Sequence, residues 1–233
     1  MKIFAISDLH LCLSGAKPMD VFGATWENYL DLIKQDWNSK VGEDDIVLMP
    51  GDLSWALKLE EAKNDLEYLS SLKGKKIIIK GNHDYWWQSI SNLRNELPKS
   101  IYPIQNDAIK IDNFIIAGTR GWVVPEKNKT LALEDKVIYD RELIRLDLSL
   151  KHALSLKKNP EDVIIVMLHF PPFNSSMENS DFTNLIEKYN VNTVVYGHLH
   201  GNNCRSVLKK QINGIDYFLT SCDKLNNKLI QIY

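Results

Sequence analysis

The sequence predicts a mixed α/β protein in which two β-sheets pack face to face and are flanked by helices. Short β-branched runs alternate with helix-length amphipathic segments in both halves of the chain. Between and after these units lie short apolar runs separated by Asn and Asp turn residues, which indicate antiparallel strands. Polar clusters follow five of the predicted strands, at the sheet edge where open α/β folds bind ligands.

The first half of the chain contains three predicted strand–helix units. The strands are expected at about 2–7, 46–49 and 76–80, and the helices at about 20–38, 58–72 and 87–96. In the first helix Trp26, Leu30, Ile33 and Trp37 recur at helical spacing, which is typical of a face packed on a core. Pro98 is the stop signal of the third helix.

The second half begins and ends with short strands. Runs at 101–104, 108–111 and 114–118 have no helix-length segment between them and are interpreted as antiparallel strands. Next come, in order, a helix at about 134–157, a strand at 163–168, a helix at about 181–189 and a strand at 193–196. The chain is expected to finish with antiparallel strands at 204–208, 216–220 and 229–233.

Length and composition predict one soluble domain over residues 1–233. The chain is 44% hydrophobic and 25% charged, with a formal net charge of −2, which favours neither a nucleic acid nor a membrane surface as a partner. No apolar run approaches the ~20 residues of a membrane span, and the first run ends in Asp8 without a signal-peptide cleavage site. Cys12, Cys204 and Cys222 lack CxxC spacing. We therefore expect a cytoplasmic protein.

Five polar clusters follow predicted strands and share a composition rich in imidazole and carboxylate. They are Ser7-Asp8-Leu9-His10, Gly51-Asp52, Gly81-Asn82-His83-Asp84, His169 and Gly197-His198-Leu199-His200. Five of the six histidines belong to these clusters, and only His152 lies within a predicted helix. A lone histidine after a strand is usually structural, but five of them arriving together with carboxylates indicate a metal site.

The donor set of these clusters is nitrogen and oxygen without thiolate. Such sites suit Mn, Fe, Co, Zn or Ni ions rather than Ca²⁺, and the ligands alone do not select one metal. Seven candidate ligands are too many for one four-coordinate zinc ion, whereas two metal ions with open water positions can use them. The sequence therefore predicts a site for two divalent or trivalent transition-metal ions.

The order of these clusters resembles the motif series of the calcineurin-like metallophosphoesterase superfamily. Asp-x-His, Gly-Asp, Gly-Asn-His-Asp, a single His and Gly-His-x-His occur in the family's order from Asp8 to His200. The opening Ser-Asp-Leu-His-Leu is most similar to its compact bacterial phosphohydrolases and cyclic-nucleotide phosphodiesterases. The resemblance implies a four-layer α-β-β-α sandwich, in agreement with the predicted elements, and a hydrolase that acts on a small-molecule phosphoester.

The resemblance also implies a role for each motif residue. It assigns Asp8, His10 and His200 to one metal ion, Asn82, His169 and His198 to the other, and Asp52 to a bridging position. A bridging carboxylate reduces the repulsion between two cations ~3.5–4 Å apart, which a neutral histidine does not do. The implied reaction is direct attack of a metal-bound hydroxide on a phosphomonoester or phosphodiester, without a covalent enzyme intermediate.

Four further residues have a functional and a structural interpretation. His83 is by resemblance the acid or transition-state stabiliser, and otherwise a histidine that only forms hydrogen bonds beside the ligands. Asp84 either orients His83, supports a ligand from outside the metal contacts, or diverges from its neighbour and has no role in the site. Arg120 is a candidate phosphate clamp or a member of a structural ion pair. Trp86 is a candidate substrate contact or a core residue.

Three other functions compete with the phosphoesterase prediction. A nuclease is disfavoured because neither charge nor length indicates a nucleic-acid groove. A non-catalytic scaffold that binds a protein partner is disfavoured because every expected ligand position is filled. A nucleotide-binding oxidoreductase is excluded because no strand is followed by a Gly-x-Gly-x-x-Gly or phosphate-loop motif.

Overall fold

The computed structural model describes residues 1–201 and 206–233, which form two mixed β-sheets with helices on their outer faces. The strands are β1 Ile3–Ala5, β2 Ile46–Met49, β3 Lys75–Ile78, β4 Ile101–Pro103, β5 Ala108–Ile111, β6 Phe114–Thr119, β7 Val163–Leu168, β8 Thr193–Tyr196, β9 Lys209–Ile212, β10 Ile215–Leu219 and β11 Ile230–Gln231. The helices are α1 Tyr29–Lys40, α2 Leu59–Ser71, α3 Ile90–Glu96, α4 Leu133–Leu156 and α5 Asp181–Lys188.

Both sheets have a parallel centre, with one antiparallel edge strand in the first sheet and two in the second. The first sheet has the order β11-β1-β2-β3-β4, and only β11 runs antiparallel to its neighbour. The second sheet has the order β5-β6-β7-β8-β10-β9, with β5 and β9 as antiparallel edges. The carboxyl ends of the parallel strands in each sheet therefore lie along one edge, where loops carry the polar clusters.

The strands alternate between two apolar layers because successive side chains point to opposite faces of a sheet. In β2, Ile46 and Leu48 belong to the core between the two sheets, whereas Val47 and Met49 face outward. The outward residues of the first sheet pack with helix residues such as Trp37 of α1.

The second sheet has the same arrangement on its outer face. Val166 of β7 and Tyr217 of β10 share a core with Leu146 of α4 and Phe182 of α5, and all four side chains are buried. Helices thus cover both outer faces of the paired sheets. The predicted four-layer α-β-β-α sandwich is confirmed.

The predicted helix at about 20–38 is wrong at its start. α1 begins at Tyr29, after two short 3₁₀ turns at 20–22 and 24–26. Gly23 has a φ of 116° and Asn28 a φ of 51°, and neither conformation continues a right-handed helix. Trp26 is still buried, in the position where helical spacing placed it, although it belongs to a 3₁₀ turn.

The predicted antiparallel strands are only partly confirmed. β4 is wrong, because it pairs only in parallel, with β3. β6 and β10 each pair antiparallel with one neighbour, β5 or β9, and in parallel with the other, β7 or β8. Alternation encodes which face of a strand is buried but carries no information on direction. Of the predicted strand at 204–208, residues 204–205 lie outside the described residues, and 206–208 precede β9.

No helix in the described part of the chain is long and apolar enough to cross a membrane. The single domain and the cytoplasmic location stay predictions.

Candidate metal centre

The predicted ligands meet at the carboxyl ends of the parallel strands. Asp8 and His10 follow β1, Asp52 follows β2, Asn82 follows β3, His169 follows β7, and His198 and His200 follow β8. Both sheets therefore contribute to one polar cluster. Two groups of three residues, with Asp52 between them, account for all seven.

The first group consists of Asp8, His10 and His200. One ligand atom from each of these residues lies within 4.8 Å of the others, a spacing that fits a single metal ion. Asp8 and His10 are fully buried. Asp8 is further fixed by Ser7, whose hydroxyl donates to its Oδ2 at 2.6 Å.

The second group consists of Asn82, His169 and His198. The Oδ1 atom of Asn82 lies 2.6 Å from Nε2 of His169 and 2.9 Å from Nδ1 of His198. Nδ1 of His169 donates to the carbonyl oxygen of Pro50 at 3.0 Å. That bond places the proton on Nδ1 and leaves the lone pair of Nε2 facing the centre, as a metal-binding histidine requires.

Asp52 lies between the two groups. Its Oδ2 is 3.8 Å from Nε2 of His10 and 3.4 Å from Nε2 of His169. Its Oδ1 accepts the backbone N–H of His83 at 2.8 Å. The carboxylate also belongs, with Asp8 and His169, to a second set of ligand atoms within 4.8 Å of one another.

Three polar atoms at this place are buried and lack a hydrogen-bond partner among the described residues. They are Oδ2 of Asp52 and both ring nitrogens of His10. Buried polar atoms are normally paired, because an unpaired one costs its full desolvation energy. A cation placed against Asp52 and one nitrogen of His10 would satisfy them, so the donor set fits a transition-metal centre.

The electrostatics of the site follow from burial and crowding. Burial lowers the pKa of His169 to about 3, although the negative charge of Asp8 opposes this shift. Burial, with a smaller contribution from His200 and His83, lowers the pKa of His198 to about 4. Burial also lowers the pKa of His10 well below its usual range. These imidazoles are therefore neutral, which is the state that binds metals.

The charge on Asp52 is unfavourable without a nearby cation. Burial and the negative charges of Asp84 and Asp8 raise the pKa of Asp52 to about 9. A divalent ion at the site would favour the ionised carboxylate and lower the pKa of Asp52 instead.

The backbone of the site is strained at four candidate ligands. The φ angles of Asp8, His10, Asp52 and His198 are 56°, 47°, 53° and 70°. Such left-handed conformations are uncommon for residues other than glycine and cluster at functional sites. The side chains of all four residues belong to the cluster of ligand atoms.

Two glycines allow these loops to approach one another. A Cβ atom on Gly81 would overlap Oδ1 of Asp52, and one on Gly197 would lie 2.5 Å from Oδ2 of Asp8. Real side-chain atoms do not approach one another so closely, so neither position can accommodate a Cβ atom. The glycines of Gly81-Asn82 and Gly197-His198 are thus required by close packing against the carboxylates.

Asp84, to which the sequence assigns no definite role, holds two of the loops together. Its fully buried carboxylate accepts the backbone N–H groups of Asp52 and Gly81 at 2.8 Å, and those of Leu53 and Ser54 at 2.9 and 3.2 Å. The indole N–H of Trp86 is a fifth donor, at 2.9 Å. Burial raises the pKa of Asp84, although the N–H donors act to lower it.

Comparison with known proteins assigns this chain to a family. The model of the calcineurin-like phosphoesterase family matches residues 1–202 of the chain. The chain belongs to the calcineurin-like phosphoesterase family. The predicted resemblance is confirmed, and the predicted pair of transition-metal ions agrees with what the family generally binds.

Two curated relatives and one solved structure are similar to this family member. A probable cyclic nucleotide phosphodiesterase of Vesicomyosocius okutanii is 25% identical over 67% of this chain and 62% of its own length. An uncharacterized protein of Methanocaldococcus jannaschii is 35% identical over 50% of this chain and 68% of its own length. A protein of unknown function from Aquifex aeolicus is 15% identical, with a TM-score of 0.51 over 99% of this chain and 95% of that one. That last likeness concerns the fold alone.

His83 lies beside the centre of this phosphoesterase-family chain but outside both ligand groups. Its ring centroid is 5.5 Å from that of His10 and 4.7 Å from the indole ring of Trp55. Burial and the neighbouring His200 lower the pKa of His83. Trp55 also stacks on His10, with centroids 4.5 Å apart, so one aromatic ring orients both histidines.

The two predicted substrate contacts lie in different surroundings. Trp86 is 1% exposed and bonded to Asp84, which is a structural position. Arg120 stacks over Trp122 at 4.6 Å and lies 3.8 Å from Glu142, in a cavity that none of the seven predicted ligands lines. Substrate contacts for both residues stay predictions.

A larger cavity opens directly beside the centre. It has a volume of about 800 Å³, and His198 forms part of its wall. Most of the remaining wall among the described residues is apolar, including Val123, Phe170, Phe173 and Leu199. Phe170 packs on His198 with ring centroids 4.2 Å apart, which joins the cavity to the ligand cluster.

Proposed function

We propose that this chain is a phosphoesterase that depends on two transition-metal ions and hydrolyses a small phosphomonoester or phosphodiester. The observation that carries the proposal is the convergence of nitrogen and oxygen donors around the unpaired, buried Oδ2 of Asp52. Asp8, His10 and His200 would hold one ion, Asn82, His169 and His198 the other, and Asp52 would bridge them.

The bridging role is assigned to Asp52 on grounds of charge and position. Its carboxylate lies between His10 of the first group and His169 of the second. A negative bridge reduces the repulsion between two cations, and the neutral oxygen of Asn82 keeps the centre from being over-neutralised. When bound, the metal ions supply a nucleophile at neutral pH and polarise the phosphoryl oxygens.

The protein groups around the centre have separate tasks in this proposal. The backbone N–H of His83 is fixed on Asp52, which holds the imidazole next to the ligands without adding it to them. We assign the His83 imidazole to protonation of the leaving oxygen or to stabilisation of the transition state, and general acid catalysis accelerates such a step by ~10²–10⁴. Proton donation to the leaving group makes departure of an alkoxide unnecessary.

The large cavity beside His198 is assigned to the organic group of the ester. Its volume of about 800 Å³ is within the usual range of ~300–1,000 Å³ for small-molecule pockets. An apolar wall favours an ester with a hydrophobic or aromatic organic part. The likeness to a probable cyclic nucleotide phosphodiesterase supports the inclusion of a diester among the candidate substrates.

The proposal is tested with purified protein, Mn²⁺, and a monoester and a diester of p-nitrophenol. Asp52→Asn should lose metal and activity together, because a neutral amide does not replace a bridging charge. His83→Ala should keep both ions by elemental analysis and lose turnover of an alkyl phosphoester, whose leaving oxygen needs a proton, by ~10²–10⁴, with a smaller loss on the p-nitrophenyl esters. A His83→Ala protein without metal would contradict the assigned role.

The matched control is His152→Ala. His152 lies in α4, where its Nδ1 accepts the backbone N–H of Ala108, and it is not part of either ligand group. This variant should retain the metal content and turnover of the wild type. Absence of hydrolysis of both esters by metal-loaded wild type would favour the non-catalytic scaffold instead.

A further inference from the structure

A second cavity, of about 290 Å³, is lined by four cationic side chains. Lys80 follows β3, Arg120 follows β6, and Arg141 and Arg145 project from α4. Among the described residues, Glu142 is the one acidic residue in the wall. No residue of the proposed metal centre contributes to this wall. The cavity is therefore a separate feature, at the junction of both sheets with α4.

Arginine is concentrated at this cavity. The sequence contains five arginines, at positions 94, 120, 141, 145 and 205. Three of the five line this cavity, although the 28 basic residues of the chain are mostly lysine. Arginine offers a planar fork of donors that matches the oxygens of phosphate and carboxylate groups, which a lysine ammonium does not.

The positive charge of the wall exceeds what the protein itself neutralises. The buried carboxylate of Glu142 accepts hydrogen bonds from Thr119 and Arg145, both at 2.7 Å, and lies 3.8 Å from Arg120. Within the described parts of the chain, no acidic oxygen lies within 4.0 Å of the side-chain nitrogens of Lys80 or Arg141. Four cations thus face one carboxylate, which leaves a net charge of +3.

One hydrogen-bond donor in the wall is also unpaired. The Nε atom of Arg120 is buried and has no acceptor among the described residues. Stacking of the guanidinium over Trp122, at 4.6 Å from the ring centroid, fixes its plane. A fixed, buried donor without an acceptor is costly unless an outside group supplies the oxygen.

We propose that this cavity binds a phosphate group, as inorganic phosphate or as part of an organic phosphate. Its volume is at the small end of ligand pockets, ~300–1,000 Å³, which fits an anion better than a large organic molecule. The ligand would accept from Arg120 and compensate the repulsion among Lys80, Arg141 and Arg145.

The cavity shares two loops with the proposed metal centre. Lys80 comes two residues before Asn82, and the backbone carbonyl of Arg120 accepts the N–H of His169 at 3.0 Å. A phosphate in the cavity would therefore contact side chains of the loops that carry two predicted ligands. Binding itself needs neither metal ion, so the proposal does not rest on the proposed function.

The test separates the cavity from the metal centre by use of the Asp52→Asn background. Binding of radiolabelled inorganic phosphate is measured by equilibrium dialysis at constant ionic strength. Asp52→Asn should still bind phosphate, and addition of Lys80→Gln and Arg141→Gln should weaken binding at least about tenfold, because hydrogen bonds to charged groups are lost. Lys63→Gln, an exposed lysine of α2, should leave the affinity unchanged.

Parallel titrations identify the source of the phosphate group. Tighter binding of inorganic phosphate than of glycerol phosphate and AMP would assign the cavity to the free ion, and the reverse order would assign it to an organic phosphate. Equal phosphate affinity with and without the Lys80 and Arg141 substitutions would overturn the proposal, as would absence of binding at millimolar phosphate. Either result would leave the hydrolysis test of the wild type unaffected.

Discussion

The substitution Asp84→Asn tests whether one buried carboxylate holds the candidate site together. Oδ2 of Asp84 accepts the N–H groups of Asp52 and Gly81, and Oδ1 accepts three other N–H groups. An asparagine keeps one oxygen. If that oxygen takes the position of Oδ1, the amide NH₂ group faces the N–H groups of Asp52 and Gly81, and their two hydrogen bonds are lost. In the opposite orientation the three hydrogen bonds to Oδ1 are lost instead.

The expected loss is therefore at least two hydrogen bonds to a charged group. Each is worth ~1.5–3 kcal/mol, which gives a range of ~3–6 kcal/mol. Removal of a buried charge offsets part of this loss, so we expect the free energy of unfolding to fall by ~3 kcal/mol, at the lower end of that range. The measurement is urea denaturation of metal-loaded wild type and variant.

Asp45→Asn is the matched control. Asp45 also accepts two backbone N–H groups, from Lys2 at 2.7 Å and Gly42 at 2.8 Å, but these hydrogen bonds are exposed to solvent. Water replaces a lost bond there, so the free energy of unfolding should fall by less than ~1 kcal/mol. A fall of that small size for Asp84→Asn would refute the anchoring role.

Asp84→Asn should also weaken metal binding, although Asp84 belongs to neither ligand group. The backbone position of Asp52 depends on it, and loss of a residue that orients a ligand typically costs ~10–100-fold in metal affinity. Metal competition with a chromogenic chelator gives that ratio. An unchanged affinity in a destabilised variant would show that Asp84 stabilises the fold without positioning Asp52.

Three other changes have defined outcomes. Gly197→Ala should lose metal by elemental analysis, because its Cβ would lie 2.5 Å from Oδ2 of Asp8. Val123→Asp, at a 47% exposed site in the wall of the large cavity, should raise KM for the p-nitrophenyl esters several-fold with little change in kcat. The pKa of Asp162 is lowered to about 2, mainly by its hydrogen bond with Lys110. Its stabilising contribution is therefore complete above the unfolded pKa of ~3.9 and is lost as the pH falls toward 2. The difference in unfolding free energy between wild type and Asp162→Asn should shrink over that interval in urea titrations.

The sequence predicts the strands best where a β-branched run is continuous. The predicted bounds 46–49, 163–168 and 193–196 agree with β2, β7 and β8. These strands are buried on both faces, so an uninterrupted apolar run identifies them. The start of α1 was missed because helical spacing continues through Trp26, where the backbone has already left the helix.

The candidate ligands were found from position and chemistry together. Asp52 and His169 are far apart in sequence and follow parallel strands of different sheets, and the carboxyl ends of the parallel strands of both sheets meet at this site. The role of Asp84 was not predictable, because its partners are backbone N–H groups that have no sequence signature. The basic cavity was missed for a different reason: packing of α4 alone brings Arg141 and Arg145 to Lys80.

Buried hydrogen bonds hold the strained backbone of the site in place. Left-handed conformations at Asp8, His10, Asp52 and His198 cost ~1–3 kcal/mol each, so the loops would relax unless other contacts fixed them. Asp84 fixes the backbone of Asp52 through its N–H, while the Asp8 carboxylate accepts the N–H of His198 at 3.0 Å. A candidate ligand that also fixes another ligand's backbone cannot move alone. Substitution of Asp8 should therefore disturb His198 as well, which makes the two predicted ligand groups one cooperative unit.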